Sequence, residues 1–257
     1  MLVNGARLVA DPSGALFWPA ERLLVVSDLH FEKGSAMAAR GHGLLPPYDT
    51  IETLTRIERL LKRFTPARLI CLGDSFHDMA AYARMSGEER QRLAAISLAQ
   101  DTIWIAGNHD PEPPAEIGGT VAGEVAMGPL VFRHEPTPNR IAPGEVAGHL
   151  HPKARIRRRG RSVSARCFAT DGSRVIVPAF GAYTGGLDVT DPAFRGLFRG
   201  GYHAWMMLPE KVYAVPAARL ARRDPPPSDG RVVSDEGEIR QPADIPRAQR
   251  IGQHEGQ

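Results

Sequence analysis

Five short polar segments recur along the chain, and each follows a run of apolar residues about as long as a buried strand. In chain order the segments are Asp28-Leu29-His30, Gly73-Asp74, Gly107-Asn108-His109-Asp110, His134 and Gly148-His149-Leu150-His151. Open α/β sheets build their ligand sites beyond the carboxyl ends of their strands. The pattern therefore predicts a sheet that gathers carboxylate, amide and imidazole side chains at one edge.

The composition is that of an ordinary globular protein, with 257 residues, 42% hydrophobic and 24% charged. The start of the chain shows no signal-peptide pattern, and no apolar stretch is long enough to cross a bilayer. The two cysteines, Cys71 and Cys167, lie inside apolar runs and are typical of reduced core residues. We therefore expect a cytoplasmic protein that does not contact a membrane.

The order of elements predicts two sheets packed face to face. A hairpin is expected over Ala6 to Trp18, and Phe31 to Tyr48 is expected to be an irregular loop. Helical spacing predicts one helix from Ile51 to about Phe64, and a capping box at Ser86 starts a second. The chain beyond Gly118 is mainly β. We expect a domain at 1–220 and a proline-rich, disordered tail at 221–257.

The donors in the five segments suit metal ions. Oxygen and imidazole ligands without thiolates favour Mn, Fe, Zn or Ni. If one carboxylate bridges, there are enough donors for two ions, and paired divalent ions are a common means of hydrolysing phosphate esters. Seven residues make up this predicted ligand set: Asp28, His30, Asp74, Asn108, His134, His149 and His151.

His109 follows the predicted ligand Asn108 directly, so its imidazole is expected beside the ion pair without binding it. A general acid for the leaving oxygen should stand there, and Asp110 could orient it. A lone Asp-x-His or His-x-His pair is weak evidence, because such pairs are common in turns and cores. Five such segments in a fixed order, each following a predicted strand, are specific evidence for a metal site.

The same set of motifs resembles the calcineurin-like metallophosphoesterase superfamily. The resemblance implies an α/β fold, a four-layer α/β/β/α sandwich with the dimetal site on one edge. It also implies that Asp74 bridges the two ions and that His109 is the catalytic histidine. Asp28, His30 and His151 would complete the first ion's ligands, and Asn108, His134 and His149 the second's. His77 is an alternative to His134, whose motif is a single histidine.

Longer stretches resemble one bacterial branch, the ligase-associated DNA damage response endonucleases. They are Ser27 to Gly34, Leu44 to Tyr48, Gly148 to Lys153 and Pro178 to Gly186. This resemblance implies manganese-dependent cleavage of single-stranded or flapped DNA, and a repair ligase, helicase or exonuclease as partner. Two alternatives remain: a phosphoesterase for a small nucleotide or nucleotide-sugar, and a catalytically silent scaffold.

A basic run follows the last ligand motif. Residues 153–166 contain seven basic and no acidic side chains, although the whole chain carries a formal charge of only +3. Such a cluster could bind a polyanion near the metals, or it could be a solvated hairpin tip. The candidate substrate contacts are Lys33, Arg40, Tyr48, Lys153, Arg155 and Tyr183. Either tyrosine could stack on a base, or simply pack.

Overall fold

The computed structural model describes residues 1–41, 46–138, 143–158 and 160–221, and a pairing of Val232–Val233 with Ile239–Arg240. The chain divides into two units, Met1–Arg223 and Asp224–Gln257. Apart from Ala221 and that strand pair, the predicted tail lies outside the described residues, so its disorder and the boundary at residue 220 stay predictions.

The first half alternates strands and helices. Its elements are β1 (Leu2–Val3), β2 (Ala6–Arg7), β3 (Val9–Ala10), β4 (Leu16–Trp18), β5 (Leu23–Val26), α1 (Lys33–Ala39), α2 (Asp49–Phe64), β6 (Arg68–Leu72), α3 (Ala81–Arg84), α4 (Gly87–Ala99), β7 (Asp101–Ile105) and β8 (Thr120–Ala122). The second half is built from strands. They are β9 (Glu124–Met127), β10 (Leu130–Arg133), β11 (Glu145–Ala147), β12 (Lys153–Arg158), β13 (Arg161–Thr170), β14 (Val175–Ile176), β15 (His203–Met207) and β16 (Val212–Pro216).

The first sheet has the strand order β3-β4-β5-β6-β7-β8, and β5 to β8 run parallel. Its central strands are mostly apolar because both of their faces are covered. Along β5, Leu24 and Val26 pack in the cluster that contains the buried side chains of α2 and α4. Leu23 and Val25 pack in the cluster shared with the second sheet. The carboxyl ends of β5, β6 and β7 therefore lie side by side.

The second sheet has the order β16-β15-β13-β14-β11-β10-β9, with β12 paired to β13. Its inner face, which includes Phe132, Val146 and Phe168, packs against the first sheet. Its outer face is covered by Phe194 and Leu197, from a segment that holds a 3-10 turn. The predicted face-to-face sandwich is confirmed. The layer outside the second sheet is mainly loop in the described part of the chain, whereas α2 and α4 cover the first.

Local predictions hold with two differences. Helix α4 begins after Ser86, and the predicted capping box with Glu89 is present. The expected irregular loop instead contains α1, whose first turn is held by the Asp49 carboxylate accepting from the Gly34 amide. The predicted hairpin is shorter than expected, since β3 pairs with β4 while Ala6–Arg7 pairs with β1. None of the described helices has the length and apolarity to span a membrane.

Candidate metal centre

The five polar segments meet at one edge of the sandwich. Asp28 and His30 follow β5, Asp74 follows β6, and Asn108 and His109 follow β7, all in the first sheet. His134 follows β10, and the His149-x-His151 pair follows β11, in the second sheet. Strands β10 and β11 run parallel, so their carboxyl ends also share an edge. The site is therefore assembled from both sheets.

One cluster is formed by Asp28, His30 and His151, whose donor atoms all lie within 4.8 Å of one another. The Nε2 of His151 is 3.2 Å from Asp28 Oδ1. Asp28 and His30 are buried, and His151 is partly exposed. The three residues form an oxygen and nitrogen donor set of the kind that first-row divalent ions prefer.

A second cluster is formed by Asp74, His134 and His149. The Nδ1 of His134 donates to the Leu72 carbonyl at 2.9 Å, which fixes the tautomer and turns Nε2 toward the site. That Nε2 lies 3.4 Å from Asp74 Oδ2 and 3.2 Å from His149 Nδ1. Asn108 Oδ1 is 2.9 Å from the same Nε2. Four donors from four loops thus converge on one point.

Asp74 lies between the two clusters. Its Oδ2 is 3.4 Å from His134 Nε2 in the second cluster and 3.9 Å from His30 Nε2 in the first. His30 Nε2 is buried and makes no hydrogen bond within the described residues. A buried polar atom with no partner costs free energy, and a metal ion would take its lone pair. The donor chemistry and this orphaned nitrogen fit two divalent ions that share Asp74.

The electrostatics of the clusters favour ionised carboxylates. Burial by itself would raise the pKa of Asp74, but the hydrogen bond and charge of His134 hold it well below the usual range. Burial likewise opposes protonation of His134, yet Asp74 and Asp28 raise its pKa to about 9. An ion bound at His134 Nε2 would take over the role of that proton, because it supplies the positive charge that both carboxylates require.

The backbone at the site is unusual. Five of the predicted ligands have left-handed φ values: 52° at Asp28, 45° at His30, 46° at Asp74, 66° at His149 and 46° at His151. Non-glycine residues rarely adopt this region, and each instance costs on the order of 1 kcal/mol. Residues in such a conformation cluster at functional sites, so the backbone agrees with the side-chain geometry.

His109 stands beside the two clusters. Its Nδ1 lies 2.8 Å from the His77 carbonyl, and its Nε2 is 4.0 Å from Asp74 Oδ2. The side chain is about one quarter exposed, so a substrate can reach it. The ring is therefore fixed through one nitrogen while the other faces the centre, as expected for a proton donor.

Asp110 makes different contacts from those predicted. Its carboxylate accepts hydrogen bonds from the backbone amides of Ser75, Phe76 and Gly107, and none of its described hydrogen bonds is to His109. Burial raises the pKa of Asp110 to about 7, and the amides of Phe76 and Ser75 oppose that shift. Asp110 thus ties the loop after β6 to the loop after β7. The His77 carbonyl orients His109 instead.

His77 joins the site in a way that sequence reasoning missed. With His30 and His109 it forms a third group whose donor atoms lie within 4.8 Å of one another. Its ring stacks on His109 with centroids 5.3 Å apart. Burial and the charge of Lys33 lower the pKa of His77 to about 4. The only sequence signal was its position three residues after Asp74, which suggested an alternative ligand rather than a neighbour of the catalytic histidine.

The predicted substrate contacts differ in how closely they approach the centre. Lys33 is buried, and its charge adds to the effect of burial in lowering the pKa of His30 and His77, so it lies near the clusters. Arg40 also lowers the pKa of His77, and its guanidinium is 3.9 Å from the Asp78 carboxylate. These two side chains add positive charge on the α1 side of the site.

The two tyrosines are placed differently from each other. The hydroxyl of Tyr183 donates to the Pro46 carbonyl at 2.8 Å, which favours the packing interpretation for that residue. Tyr48 is 65% exposed, which leaves its ring accessible. Base stacking by Tyr48 stays a prediction. Lys153 and Arg155 lie on β12, immediately beyond His151.

We expect Gly107→Ala to damage the site. A Cβ at Gly107 would collide with the backbone nitrogen and carboxylate of Asp74 and would lie 2.7 Å from Asp110 Oδ1. Forcing these loops apart should lower the free energy of unfolding by about 1–3 kcal/mol and weaken metal binding. Chemical denaturation and metal analysis measure both effects. Gly123→Ala is the matched control, because a Cβ there meets no atom within 4 Å. Equal behaviour of the two variants would contradict the role given to Gly107.

Comparison with known proteins defines the class. The calcineurin-like phosphoesterase family model matches residues 21–162, which contain every residue of the metal centre. The chain therefore belongs to this family, and the family prediction is confirmed. Members bind two divalent metals, so the protein is a metal-dependent phosphoester hydrolase.

Among solved structures, a Pseudomonas putida nuclease, MPE, superposes with a TM-score of 0.65 at 28% identity, covering 84% of this chain and 98% of that one. This similarity agrees with the branch resemblance drawn from the sequence. The Escherichia coli phosphoesterase Yfce gives a TM-score of 0.37 at 15% identity, covering 77% of this chain and 98% of that one. A search of curated proteins found no match.

Proposed function

We propose that the protein is an endonuclease that cuts single-stranded or flapped DNA during bacterial DNA repair. The observation that carries the proposal is the pair of adjacent donor clusters, with the Asp74 carboxylate within 4 Å of a histidine of each, in a chain similar over most of its length to a solved nuclease. The proposed setting is the cytoplasm, with a repair ligase, helicase or exonuclease as partner. We propose manganese as the metal, with Fe, Zn or Ni also compatible with the donors.

Each residue of the centre has a proposed role. Asp28, His30, Asp74 and His151 would hold one ion, and Asp74, Asn108, His134 and His149 the other. Two divalent ions at such a site supply an activated water and stabilise the negative charge on the phosphate. His109 would donate a proton to the departing oxygen through the nitrogen that faces the centre. Lys33 would attract the phosphate from the α1 side.

The test is cleavage of a covalently closed single-stranded DNA circle in the presence of manganese. A circle has no ends, so only an endonuclease can convert it to a linear product. We expect linear DNA to appear, and closed double-stranded circles to be cut far more slowly. Bis(p-nitrophenyl) phosphate serves as a control for an active metal centre. Hydrolysis of this small diester with an intact circle would reject the endonuclease and favour the small-nucleotide alternative.

A further inference from the structure

Strands β12 and β13 form a hairpin, here called the basic hairpin, directly beyond the ligand His151. Side chains alternate between the two faces of a strand. Ala154 and Ile156 pack in the apolar cluster on the outer face of the second sheet. Lys153, Arg155 and Arg157 must therefore lie on the opposite face of β12, where their spacing is about 6.6 Å from one to the next.

The partner strand completes this face. In the antiparallel register Lys153 lies opposite Arg166, Arg155 opposite Ser164, and Arg157 opposite Ser162. Residues that are directly opposite share a face. The face is thus made of four basic and two hydroxyl side chains. Lys153 and Arg166 are like charges directly opposite each other, a pairing that by itself is unfavourable in a sheet.

The inner end of the basic face is attached to the metal centre. Arg166 donates to the carbonyls of Ala179 and Gly181 at 3.0 and 3.4 Å. The Gly181 amide in turn donates to the carbonyl of the ligand Asp28 at 3.2 Å. On the other strand, Lys153 follows His151 by two residues. The first basic residues of the face therefore belong to segments that adjoin the metal centre.

The outer end extends away from the protein. Along β13 the residues change from exposed at 161–164 to partly buried at 165–166 and fully buried at 167–170. On β12, Arg155 is half-buried and Arg157 is exposed. The face therefore runs outward from the centre as a row of basic side chains that becomes more exposed toward the hairpin tip.

We propose that the basic face binds successive phosphates of one nucleic-acid strand on one side of the cleaved bond. The inference rests on the proposed function, because it takes a single strand as the substrate. The distance between cations at alternate positions of a β-strand is comparable to the distance between neighbouring phosphates of an extended nucleic-acid strand. Contacts to phosphates do not distinguish one base from another, so we expect binding that is independent of nucleotide sequence and strongly dependent on salt.

The test compares Arg155→Ala/Arg157→Ala with Arg59→Ala/Lys62→Ala in the manganese-loaded enzyme. The second variant removes the same charge from exposed positions on α2. The substrates are a long thymidine oligonucleotide and the small diester bis(p-nitrophenyl) phosphate. For the hairpin variant we expect kcat/KM on the long oligonucleotide to fall on the order of tenfold relative to the small diester. The slope of log kcat/KM against log salt should become shallower by about 1.4, which is about 0.7 for each lost contact.

The outcomes separate the two proposals. If the hairpin variant cleaves the long oligonucleotide with wild-type kcat/KM and salt slope, the proposal that the basic face binds phosphates is wrong, while the proposed nuclease function stands. An equal loss of kcat/KM on the oligonucleotide and the small diester would indicate damage to the metal centre. It would also contradict phosphate binding by the basic face. If the wild-type enzyme hydrolyses the small diester but no oligonucleotide, the proposed function itself fails.

Discussion

Asp74→Asn should abolish the phosphodiesterase activity of this protein. The Asp74 carboxylate lies within 4 Å of both His30 and His134, and it fits the role of the bridge between two ions. An amide of the same shape removes the negative charge that both ions would share in that role. We expect a loss of at least about 4 kcal/mol of transition-state stabilisation, which is about a thousandfold in rate.

Activity on bis(p-nitrophenyl) phosphate, together with metal content, measures this effect. The preparation should hold fewer than two ions for each chain. Asp101→Asn is the matched control, since its carboxylate is exposed and pairs with Arg68 at the protein surface. An exposed ion pair contributes little to stability, so that variant should keep both ions and full activity. Retention of two ions and near-normal rates by Asp74→Asn would rule out the bridging role.

His109→Ala should slow DNA cleavage by about 100-fold to 10,000-fold while both ions stay bound, as expected for loss of a general acid. The reason lies in the leaving group. A deoxyribose alkoxide needs a proton as it departs, whereas p-nitrophenolate is stable without one. The variant should therefore lose much less activity on bis(p-nitrophenyl) phosphate than on DNA.

Two further variants make this prediction specific. His203→Ala changes an exposed histidine on β15 and should leave both reactions unaltered. His77→Ala tests the residue whose carbonyl holds the His109 ring and whose own ring stacks on it. If His77→Ala shows the leaving-group dependence and His109→Ala does not, the proton donor is His77.

The ligand positions could be predicted because they follow strands whose apolar runs are visible in the sequence. Strands β5, β6 and β7 contribute side chains to the apolar clusters on both faces of the sheet, so each contains an apolar run that leads to a polar motif. Parallel pairing then brings the motifs together at one edge. Local patterns of this kind determined most of the predicted site.

The features that were not predicted depend on contacts between distant segments. Helix α1 has only seven residues, which is too short to show a periodic signal, and its first turn is held by Asp49, fifteen residues away from Gly34. The contacts of Asp110 with Ser75 and Phe76 span 35 and 34 residues. His77 reaches His30 across 47. Spacing within one segment contains no information about such pairs.

The division of the ligands between two sheets has a consequence for how the enzyme becomes active. The first sheet supplies Asp28, His30, Asp74 and Asn108, and the second supplies His134, His149 and His151. With the proposed ligand sets, each ion would therefore take donors from both sheets. A chain newly released from the ribosome, with only its first sheet formed, would lack part of the ligand set for either ion. Formation of the candidate metal centre thus depends on the packing of the two sheets, so a chain with only one sheet folded is expected to be inactive as a phosphoester hydrolase.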